Sequence, residues 1–415
     1  MSAVRVVGAG LAGLAAALRL AEAGRAVVVH EASGHAGGRS RSYLDATLGC
    51  RIDNGNHLLI AGNTAAMAYL DAIGARDTLI GPAEPAFPFL DLGTGERWVL
   101  RPNSGRIPWW IASPSRRVPG TVMRDYLKAI RLKSVRAGAT VAAALPGDTL
   151  FRRLWQPLAV AALNTEVESG AALLLSRVID ESFGRGGAAC RPLVPREGLS
   201  ETLIDPALAR LASLGATVRF GSRLRALEKA GSRIAALDFD DGRVELAPGD
   251  AVVLAVTAPV AARLLPDLTV PDEFRAILNA HYRIAAPSDA PLFVGLVGGT
   301  AEWVFRKREV LSVTVSAADR LMDTGAEELA RLLWRDVVRA YGVPAEPMPP
   351  WQIVKERRAT FAATPAQVAR RPKARTAHEN LVLAGDWTDT DLPATIEGAI
   401  RSGFSAAAAL LSQNT

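Results

Sequence analysis

The segment VRVVGAGLAGLAAALRLAEAGRAVVVHEASGHAGGRSRS, residues 4–42, decides the fold class of this chain. It opens with a short β-branched run, which is typical of a buried parallel strand. An alanine- and leucine-rich stretch, 14–23, predicts a helix that ends at Gly24. A second β-branched run at 27–29 completes a strand–helix–strand unit.

Three glycines in the first turn have the spacing G-x-G-x-x-G. Gly8 permits a tight turn, Gly10 lets the backbone approach a pyrophosphate, and Gly13 allows close helix–strand packing. Leu11 and Ala12 lie at the helix N-terminus, where unpaired N–H groups and the positive end of the helix dipole favour phosphate. The turn therefore predicts a dinucleotide site, and the alternative is a glycine-rich turn in an unrelated α/β domain.

An acidic residue follows at the spacing that such a site requires. Glu31, with Ala32 beside it, is placed to accept hydrogen bonds from both ribose hydroxyls. A secretory signal is the alternative for the apolar stretch. It is excluded because no basic leader precedes the stretch and because the ordered pattern continues through Glu31. Gly37 and Gly38 then let the backbone approach the cofactor, and Arg39 can neutralise a phosphate.

A second segment near the other end of the chain, residues 380–410, complements the first. It reads NLVLAGDWTDTDLPATIEGAIRSGFSAAAAL and begins as a buried strand. Gly385 follows the strand, and Asp386 can hydrogen-bond a ribityl hydroxyl. Pro393 is expected to open a helix, because proline is tolerated in the first helical turn.

The start of that predicted helix, formed by Ala394, Thr395 and Ile396, can present N–H groups to a flavin ring. Small residues recur three to four positions apart behind it and predict a face that lies close against the cofactor or the sheet. These small residues are Gly398, Ala399, Ser402 and Gly403. The alternative for this segment is a core helix that follows an acidic loop.

Composition limits the class of protein. The chain has 415 residues, 49% of them hydrophobic, and a formal charge of +6. It can bury a sizeable core in two domains, and no apolar run reaches transmembrane length. Cys50 and Cys190 argue against a disulfide framework, a zinc site and an iron–sulfur cluster, so no metal is predicted. No dense basic run interleaved with aromatics points to nucleic acid, whereas an anionic membrane surface suits the charge.

Six stretches spread over nearly the whole chain resemble the squalene-associated FAD-dependent desaturase family. Its members are hydroxysqualene dehydroxylases of bacterial hopanoid biosynthesis, within the amine oxidase and phytoene desaturase superfamily. The stretches are VVGAGLAGLAAALRL, EASGHAGGRSRS, DNGNHLLIAGN, WQPLAVAALNT, PREGLSE and LAGDWTDTDLPATIEGAIRSG. The third, fourth and sixth are similar at the level of the family itself. One departure is Asp391, where the family usually has a small residue.

The resemblance implies an α/β fold in which a Rossmann-like FAD-binding domain of the GR2 type is interleaved with a smaller α+β substrate domain. The FAD-binding domain is expected to comprise 1–80, 195–265 and 375–415, and the substrate domain 81–194 and 266–374. Within these ranges, 121–144 has a helical pattern. Thr324 and Glu327 predict a capping box on a helix that Gly342 ends.

The resemblance also implies where FAD lies. The DNGNH run, with Gly55, Asn56 and His57, is expected near the flavin ring, and Leu224 near the adenine. The implied reaction converts hydroxysqualene to squalene with an external reductant. The hydroxyl group of an allylic alcohol leaves only after it is protonated, so a proton donor is needed. The cation that remains must be kept from water, so a dry apolar channel is needed as well.

Four residues are candidates for that donor: Asp389, Asp391, His57 and Glu166. The alternative for His57 is a structural, hydrogen-bonded histidine. The alternative for Glu166 is a residue that caps a helix or is exposed to solvent. Six residues are candidates for the channel wall, with core packing as the alternative for each. These are Phe87, Trp109, Trp110, Trp155, Leu158 and Val160.

Three other functions remain open at this point. They are a carotenoid or polyene desaturase, a flavin amine oxidase, and a non-catalytic flavoprotein that binds a partner. The expected partners are a long isoprenoid substrate, an electron donor of unknown identity and upstream synthases of the squalene pathway. The expected location is the cytoplasm, with peripheral association at the inner face of the membrane.

Overall fold

A five-stranded parallel sheet contains strands from both of the segments that carry the predicted cofactor motifs. The computed structural model describes residues 2–412. The order of strands is Thr217–Arg219, Ala26–His30, Ala3–Val7, Ala251–Leu254 and Leu381–Leu383. Start, middle and end of the chain therefore meet in one sheet. Four of its strands are short, mostly apolar runs, whereas the edge strand Thr217–Arg219 is polar at both ends and largely exposed.

Two helices, Leu11–Glu22 and Ile396–Leu411, pack against each other on this sheet. Their close approach depends on Gly403, since a Cβ there would lie 2.2 Å from the carbonyl oxygen of Ala12. The predicted close approach is found at Gly403, but its neighbour there is the first helix and not the cofactor or the sheet. That first helix begins three residues earlier than the predicted 14–23, at the glycine turn itself.

A seven-stranded mixed sheet forms the second large layer. Its order is Trp351–Phe361, Phe274–Arg283, Val310–Val315, Trp303–Lys307, Phe293–Val297, Phe87–Asp91 and Arg97–Leu100. The Phe293–Val297 strand pairs in parallel with Phe87–Asp91, and the other pairings are antiparallel. Helix Ala326–Tyr341 packs its apolar face on one side of this sheet.

Three smaller sheets complete the strands. The first pairs Ser42–Asp45 with Cys50–Asp53, and the second places Pro192–Pro195 between Leu59–Ile60 and Leu79–Ile80. The third contains Leu224–Ala230, Arg233–Phe239 and Gly242–Glu245. Its second and third strands join at Asp240-Asp241-Gly242, where the hairpin turn was predicted. 

The remaining helices are short. The α-helices are Thr64–Ala72, Met123–Leu127, Val141–Ala144, Gln156–Leu163, Ala172–Glu181, Asp205–Ser213, Ala258–Leu264 and Pro365–Val368. The 3₁₀ turns are Arg76–Thr78, Trp109–Ala112, Lys128–Ser134, Phe183–Arg185, Gly187–Cys190 and Ala318–Leu321, and π-helical turns occur at Phe151–Trp155 and Ser200–Ile204. No helix within residues 2–412 is both long and apolar enough to cross a membrane.

Two local predictions about helices were wrong. The stretch 121–144 is not one helix but three short pieces, and Gly138, with φ +97°, stands in the break before the last piece. The predicted capping box also fails, because the helix begins after Gly325 and no side chain caps it. The predicted end at Gly342 is confirmed, in the left-handed conformation.

Candidate flavin-binding site

The glycine turn forms an open cradle at the N-terminus of the first helix. Gly8 has φ +107°, and a Cβ there would lie 2.4 Å from the carbonyl oxygen of Ala255. A Cβ at Gly13 would lie 1.9 Å from the carbonyl oxygen of Gly8, whereas one at Gly10 would meet nothing within 4 Å. No side chain caps the helix at Gly10. The fold thus requires Gly8 and Gly13, and the free face at Gly10 suits a phosphate.

Leu11 and Ala12 are buried in the first helical turn, directly behind this cradle. Glu31 lies beside it, and its carboxylate accepts hydrogen bonds from the backbone N–H of Ala9 at 2.8 Å and of Ser33 at 2.9 Å. These bonds hold the carboxylate at the edge of the cradle, as a ribose ligand requires.

The strand that is expected to contact the adenine begins next to Glu31. The backbone N–H of Ser222 donates to the carbonyl oxygen of Glu31 at 2.9 Å, and that of Gly221 donates to Ser33 at 3.1 Å. Leu224 therefore starts its strand close to Ala32 and the acidic residue, in a buried position. The structure brings these predicted residues together.

Arg39 joins the two ends of the chain. Gly37 donates its N–H to the carbonyl oxygen of Ala9 at 2.8 Å, and a Cβ at Gly38 would lie 3.6 Å from the Cα of Gly10. The Arg39 guanidinium donates to Asp386 at 2.7 Å, and the Asp386 carboxylate raises the pKa of Arg39. Both side chains line a cleft of about 200 Å³.

The C-terminal loop depends on Gly385, which has φ +149°. A Cβ there would lie 2.4 Å from the indole nitrogen of Trp387. Thr395 caps the last helix by accepting the N–H of Gly398 at 3.0 Å, so the helix starts at Ile396 and not at Pro393 as predicted. The tight turn before the cap replaces a proline-initiated helix.

Arg371 is a residue that the sequence analysis missed. Its buried guanidinium donates to the carbonyl oxygens of Leu392 at 2.7 Å and Asp386 at 3.2 Å, to that of Thr388, and to the Thr390 hydroxyl at 3.0 Å. Arg371 therefore holds the whole 386–392 loop. Arg371 offers no signal in sequence, because it stands 15 residues before the loop and its partners are mostly carbonyl groups, which every residue has.

The DNGNH run, residues 53–57, contacts the seven-stranded sheet. The Asn56 side chain donates to the Thr314 hydroxyl at 3.0 Å, and the Asn279 amide donates to the carbonyl oxygen of Asn54 at 3.3 Å. A Cβ at Gly55 would lie 3.3 Å from the Asn279 amide nitrogen. The buried carbonyl oxygen of the Asn56 side chain has no partner among residues 2–412.

A buried ion pair lies under this run and was also missed. The Lys307 ammonium binds the Asp53 carboxylate, and these side chains are 12% and 2% exposed. Asp53 also accepts the Ser42 hydroxyl at 2.6 Å and the backbone N–H of Leu199 at 2.9 Å. Although burial opposes ionisation, Lys307 and these donors lower the pKa of Asp53. Only the sheet brings Lys307 to Asp53.

The four proton-donor candidates lie in different surroundings. Asp389 and Asp391 are exposed on the C-terminal loop, and Glu166 is exposed and pairs with Arg320 at 3.6 Å. His57 is half-buried, and its charged neighbours are Asp53, Lys307 and Arg39. Burial lowers the pKa of His57 to about 4.

Five of the six channel candidates belong to one apolar cluster, and Trp109 is instead exposed. In this cluster the ring of Phe183 lies 6.3 Å from that of Trp110 and 6.4 Å from that of Trp155. The same cluster reaches Trp387 beside the C-terminal loop. An apolar region therefore extends from the helices to the candidate cofactor site.

Comparison with known proteins agrees with this geometry. The family model of flavin containing amine oxidoreductases matches residues 11–286 and 292–411. A hydroxysqualene dehydroxylase of Rhodopseudomonas palustris is 51% identical, with 97% of each chain covered. Those of Sinorhizobium fredii and Zymomonas mobilis are 48% and 44% identical, covering 99% and 100% of this chain and 98% and 100% of theirs.

More distant matches share the fold. A probable zeta-carotene desaturase of Synechococcus elongatus is 24% identical, covering 98% of each chain. The structure of a cyclohexylamine oxidase from Brevibacterium oxydans superposes with a TM-score of 0.71 at 16% identity, covering all of both chains. The predicted α/β flavoprotein fold is thereby confirmed. The chain belongs to the flavin-containing amine oxidoreductases and, within them, to the hydroxysqualene dehydroxylase family.

Proposed function

We propose that this protein removes the hydroxyl group of hydroxysqualene and releases squalene, with FAD as cofactor. The near-full-length similarity to proteins of that name carries the proposal. The junction of the two cofactor segments through Arg39 and Asp386 supports it, because it gives one continuous site.

The residues present fit FAD. The cradle at Gly8, Gly10 and Gly13 would hold the pyrophosphate, and Glu31 the ribose. Further contacts would come from Leu11, Ala12, Ala32, Gly37, Gly38, Arg39, Leu224, Gly385, Asp386, Ala394, Thr395 and Ile396. Gly55, Asn56 and His57 would face the flavin ring. The side-chain oxygen of Asn56, which has no partner among residues 2–412, could there accept a hydrogen bond from the cofactor. When bound and reduced, FAD supplies the hydride for this reaction.

The chain itself has two tasks. It must protonate the hydroxyl so that water leaves, and it must exclude other water from the resulting allylic cation. The C–O bond breaks as the proton leaves with the hydroxyl in the water molecule, and a hydride would then form the new C–H bond, so that alcohol, proton and hydride give hydrocarbon and water. The aromatic walls near Phe87, Trp110 and Trp155 would exclude water and stabilise the cation through their π faces.

We propose His57 as the proton donor among the four candidates. It is half-buried beside the predicted flavin contacts, whereas Asp389, Asp391 and Glu166 are exposed to solvent. Burial lowers the pKa of His57 to about 4, so the imidazole is neutral near pH 7 and must take up a proton before it donates one to the alcohol; turnover should therefore rise as the pH falls toward 4.

Four single variants separate these candidates: His57→Gln, Asp389→Asn, Asp391→Asn and Glu166→Gln. With flavin content unchanged, turnover should fall about 10²- to 10⁴-fold in His57→Gln alone. A comparable loss in Asp389→Asn or Asp391→Asn would assign the acid to the C-terminal loop. An unchanged rate in His57→Gln would remove it as the donor.

An anaerobic single-turnover assay tests the function itself. Photoreduced holoenzyme is mixed with hydroxysqualene, the flavin absorbance is followed, and the lipids are extracted. Flavin reoxidation together with squalene formation is the expected result. A flavin that stays reduced would favour a polyene desaturase or an amine oxidase, and those substrates are then offered to the oxidised enzyme. No turnover with any of them would favour a non-catalytic flavoprotein.

The reaction needs partners outside this chain. An external electron donor must reduce the flavin after each turnover, and the substrate must come from upstream synthases of the squalene pathway. Since the substrate is a long isoprenoid, we propose that the protein works in the cytoplasm, peripherally associated with the inner face of the membrane.

A further inference from the structure

A cluster of exposed apolar side chains lies on one short segment of the chain. Of the nine large hydrophobic side chains that are exposed in residues 2–412, six come from 107–130. We call them the apolar surface; they are Ile107, Trp109, Val122, Met123, Leu127 and Ile130. Exposed apolar residues scattered singly are ordinary, but a group this dense marks an interaction site.

The apolar surface is the outside of a folded layer. The turn Trp109–Ala112 contacts helix Met123–Leu127, which contacts the turn Lys128–Ser134. Inside the layer, the Trp110 and Tyr126 rings meet edge to face with centroids 5.1 Å apart, and the Tyr126 hydroxyl accepts the N–H of Val118 at 2.8 Å. Trp109 and Ile130 therefore point outward from an ordered base.

Basic residues surround the apolar surface. Residues 101–136 contain nine Lys and Arg residues and one acidic residue, Asp125, a net charge of +8 against +6 for the whole chain. The Asp125 carboxylate is already paired, because it accepts hydrogen bonds from the Lys128 ammonium at 3.0 Å and from the N–H of Val122 at 2.9 Å. The rest of the chain is slightly acidic, so the positive charge of the protein is concentrated here.

We propose that this surface docks on an anionic lipid bilayer, with Trp109 and Ile130 inserted at the interface. Trp is favoured at the boundary between headgroups and acyl chains, and each basic residue near an anionic surface contributes about 1 kcal/mol. Arg116 lies over the Trp109 ring, with its guanidinium carbon 4.9 Å from the ring centroid. The pair thus presents an apolar face and a phosphate-binding group together.

The location of the surface fits the apolar substrate, and this step rests on the proposed function. Trp110 and Tyr126 under the surface belong to the same apolar cluster as Trp155 and Trp387. A docked protein would therefore hold this cluster against the membrane, and an isoprenoid would reach the cofactor region without crossing water.

Vesicle co-sedimentation of the holoenzyme tests the docking. The vesicles are phosphatidylcholine alone or phosphatidylcholine with a quarter phosphatidylglycerol, without substrate. The protein should sediment with the anionic vesicles at least tenfold more tightly than with the zwitterionic ones, and less so at high salt. Equal binding to both, or binding to neither, would overturn the proposal.

Two double variants test the apolar part. Trp109→Ser with Ile130→Ser should weaken vesicle binding at least tenfold. The matched control, Leu44→Ser with Phe220→Ser, removes side chains that are 68% and 43% exposed elsewhere and should bind as the wild type does. If the Trp109→Ser, Ile130→Ser variant binds vesicles as well as the wild type does, the surface is a site for polyanions. The proposal that Trp109 and Ile130 insert into the bilayer would then be wrong.

Two further double variants test the charge. Arg131→Gln with Lys133→Gln should weaken binding to anionic vesicles about tenfold, whereas Arg335→Gln with Lys373→Gln should not. Thermal unfolding and flavin content establish that each variant is folded. Vesicle binding, thermal unfolding and flavin content are measured without turnover. A failure of the docking proposal is therefore distinct from a failure of the proposed function in the single-turnover assay.

A second copy of this chain is the competing occupant. Sedimentation velocity of the wild type without vesicles should show a species that the Trp109→Ser, Ile130→Ser variant does not change. A dimer that this variant converts to monomer would assign the surface to self-association and overturn the proposal.

Discussion

The candidate flavin site buries charged side chains, whereas the surface formed by 101–136 exposes apolar side chains next to basic ones. In the site, Lys307 and Asp53 are paired and buried, and Arg371 donates to loop oxygens out of contact with solvent. On the surface, Trp109 and Ile130 are 55% and 59% exposed, beside basic residues with few acidic partners. A charge therefore determines stability only where the fold has removed it from water.

The largest effect should come from breaking the buried ion pair. Lys307→Met leaves the Asp53 carboxylate buried without its cation, and should lower the free energy of unfolding by about 3–5 kcal/mol. The same substitution at exposed Lys133 should change it by less than about 0.5 kcal/mol. Urea unfolding of both variants measures the difference. Equal losses would mean that the Asp53 pairing contributes nothing, and partial recovery in Lys307→Met with Asp53→Leu would support it.

Acid should destabilise the buried histidines. The pKa of His281 is about 4 in the folded protein against 6.5 for a free histidine, chiefly because burial disfavours its charge. Its stabilising contribution is complete above pH 6.5 and is lost as the pH falls toward 4, by about 3 kcal/mol. Unfolding free energies from pH 7 to 4 measure this slope. His281→Gln should make the slope shallower, and an unchanged slope would contradict the assignment.

The loop that Arg371 holds should be the next most sensitive feature. Arg371→Met leaves buried carbonyl oxygens without donors and should cost about 2–3 kcal/mol, with weaker retention of flavin. Flavin absorbance per protein and the unfolding midpoint measure both effects. Arg124→Met on the exposed surface is the matched control. If the two variants retain flavin equally, Arg371 does not hold the cofactor loop.

The smallest effect should be on the exposed surface. Ile130→Ser should shift the free energy of unfolding by no more than about 0.5 kcal/mol, because its side chain is already mostly in water. Differential scanning calorimetry of this variant against the wild type checks it. A loss above 1 kcal/mol would show that Ile130 packs against a neighbour, and the contrast between the two regions would disappear.

Prediction from sequence succeeded where a motif is complete within a few residues. The turn at Gly8, the helix behind it and the strand that ends near Glu31 follow from steric limits and hydrogen bonding between near neighbours. The helix end at Gly342 and the hairpin turn at 240–242 were found for the same reason. Steric limits of this kind do not depend on the rest of the fold.

Prediction failed where a helix boundary depends on competing caps. Pro393 was expected to start the last helix, but Thr395 forms the cap because its hydroxyl accepts the N–H of Gly398. The stretch 121–144 has helical composition, yet it covers an apolar layer in three short pieces. Composition alone does not distinguish one long helix from several short ones.

Spacing along the chain was therefore sufficient to specify the strand–turn–helix unit near the start of the chain and the strand and helix near its end, because these elements depend on contacts between neighbours. The pairing of Arg39 with Asp386, of Lys307 with Asp53, and the grip of Arg371 on its loop were decided only by tertiary structure. The physical reason is that a buried charge needs a partner at about 3 Å, and the folded sheets alone determine which distant residue stands there.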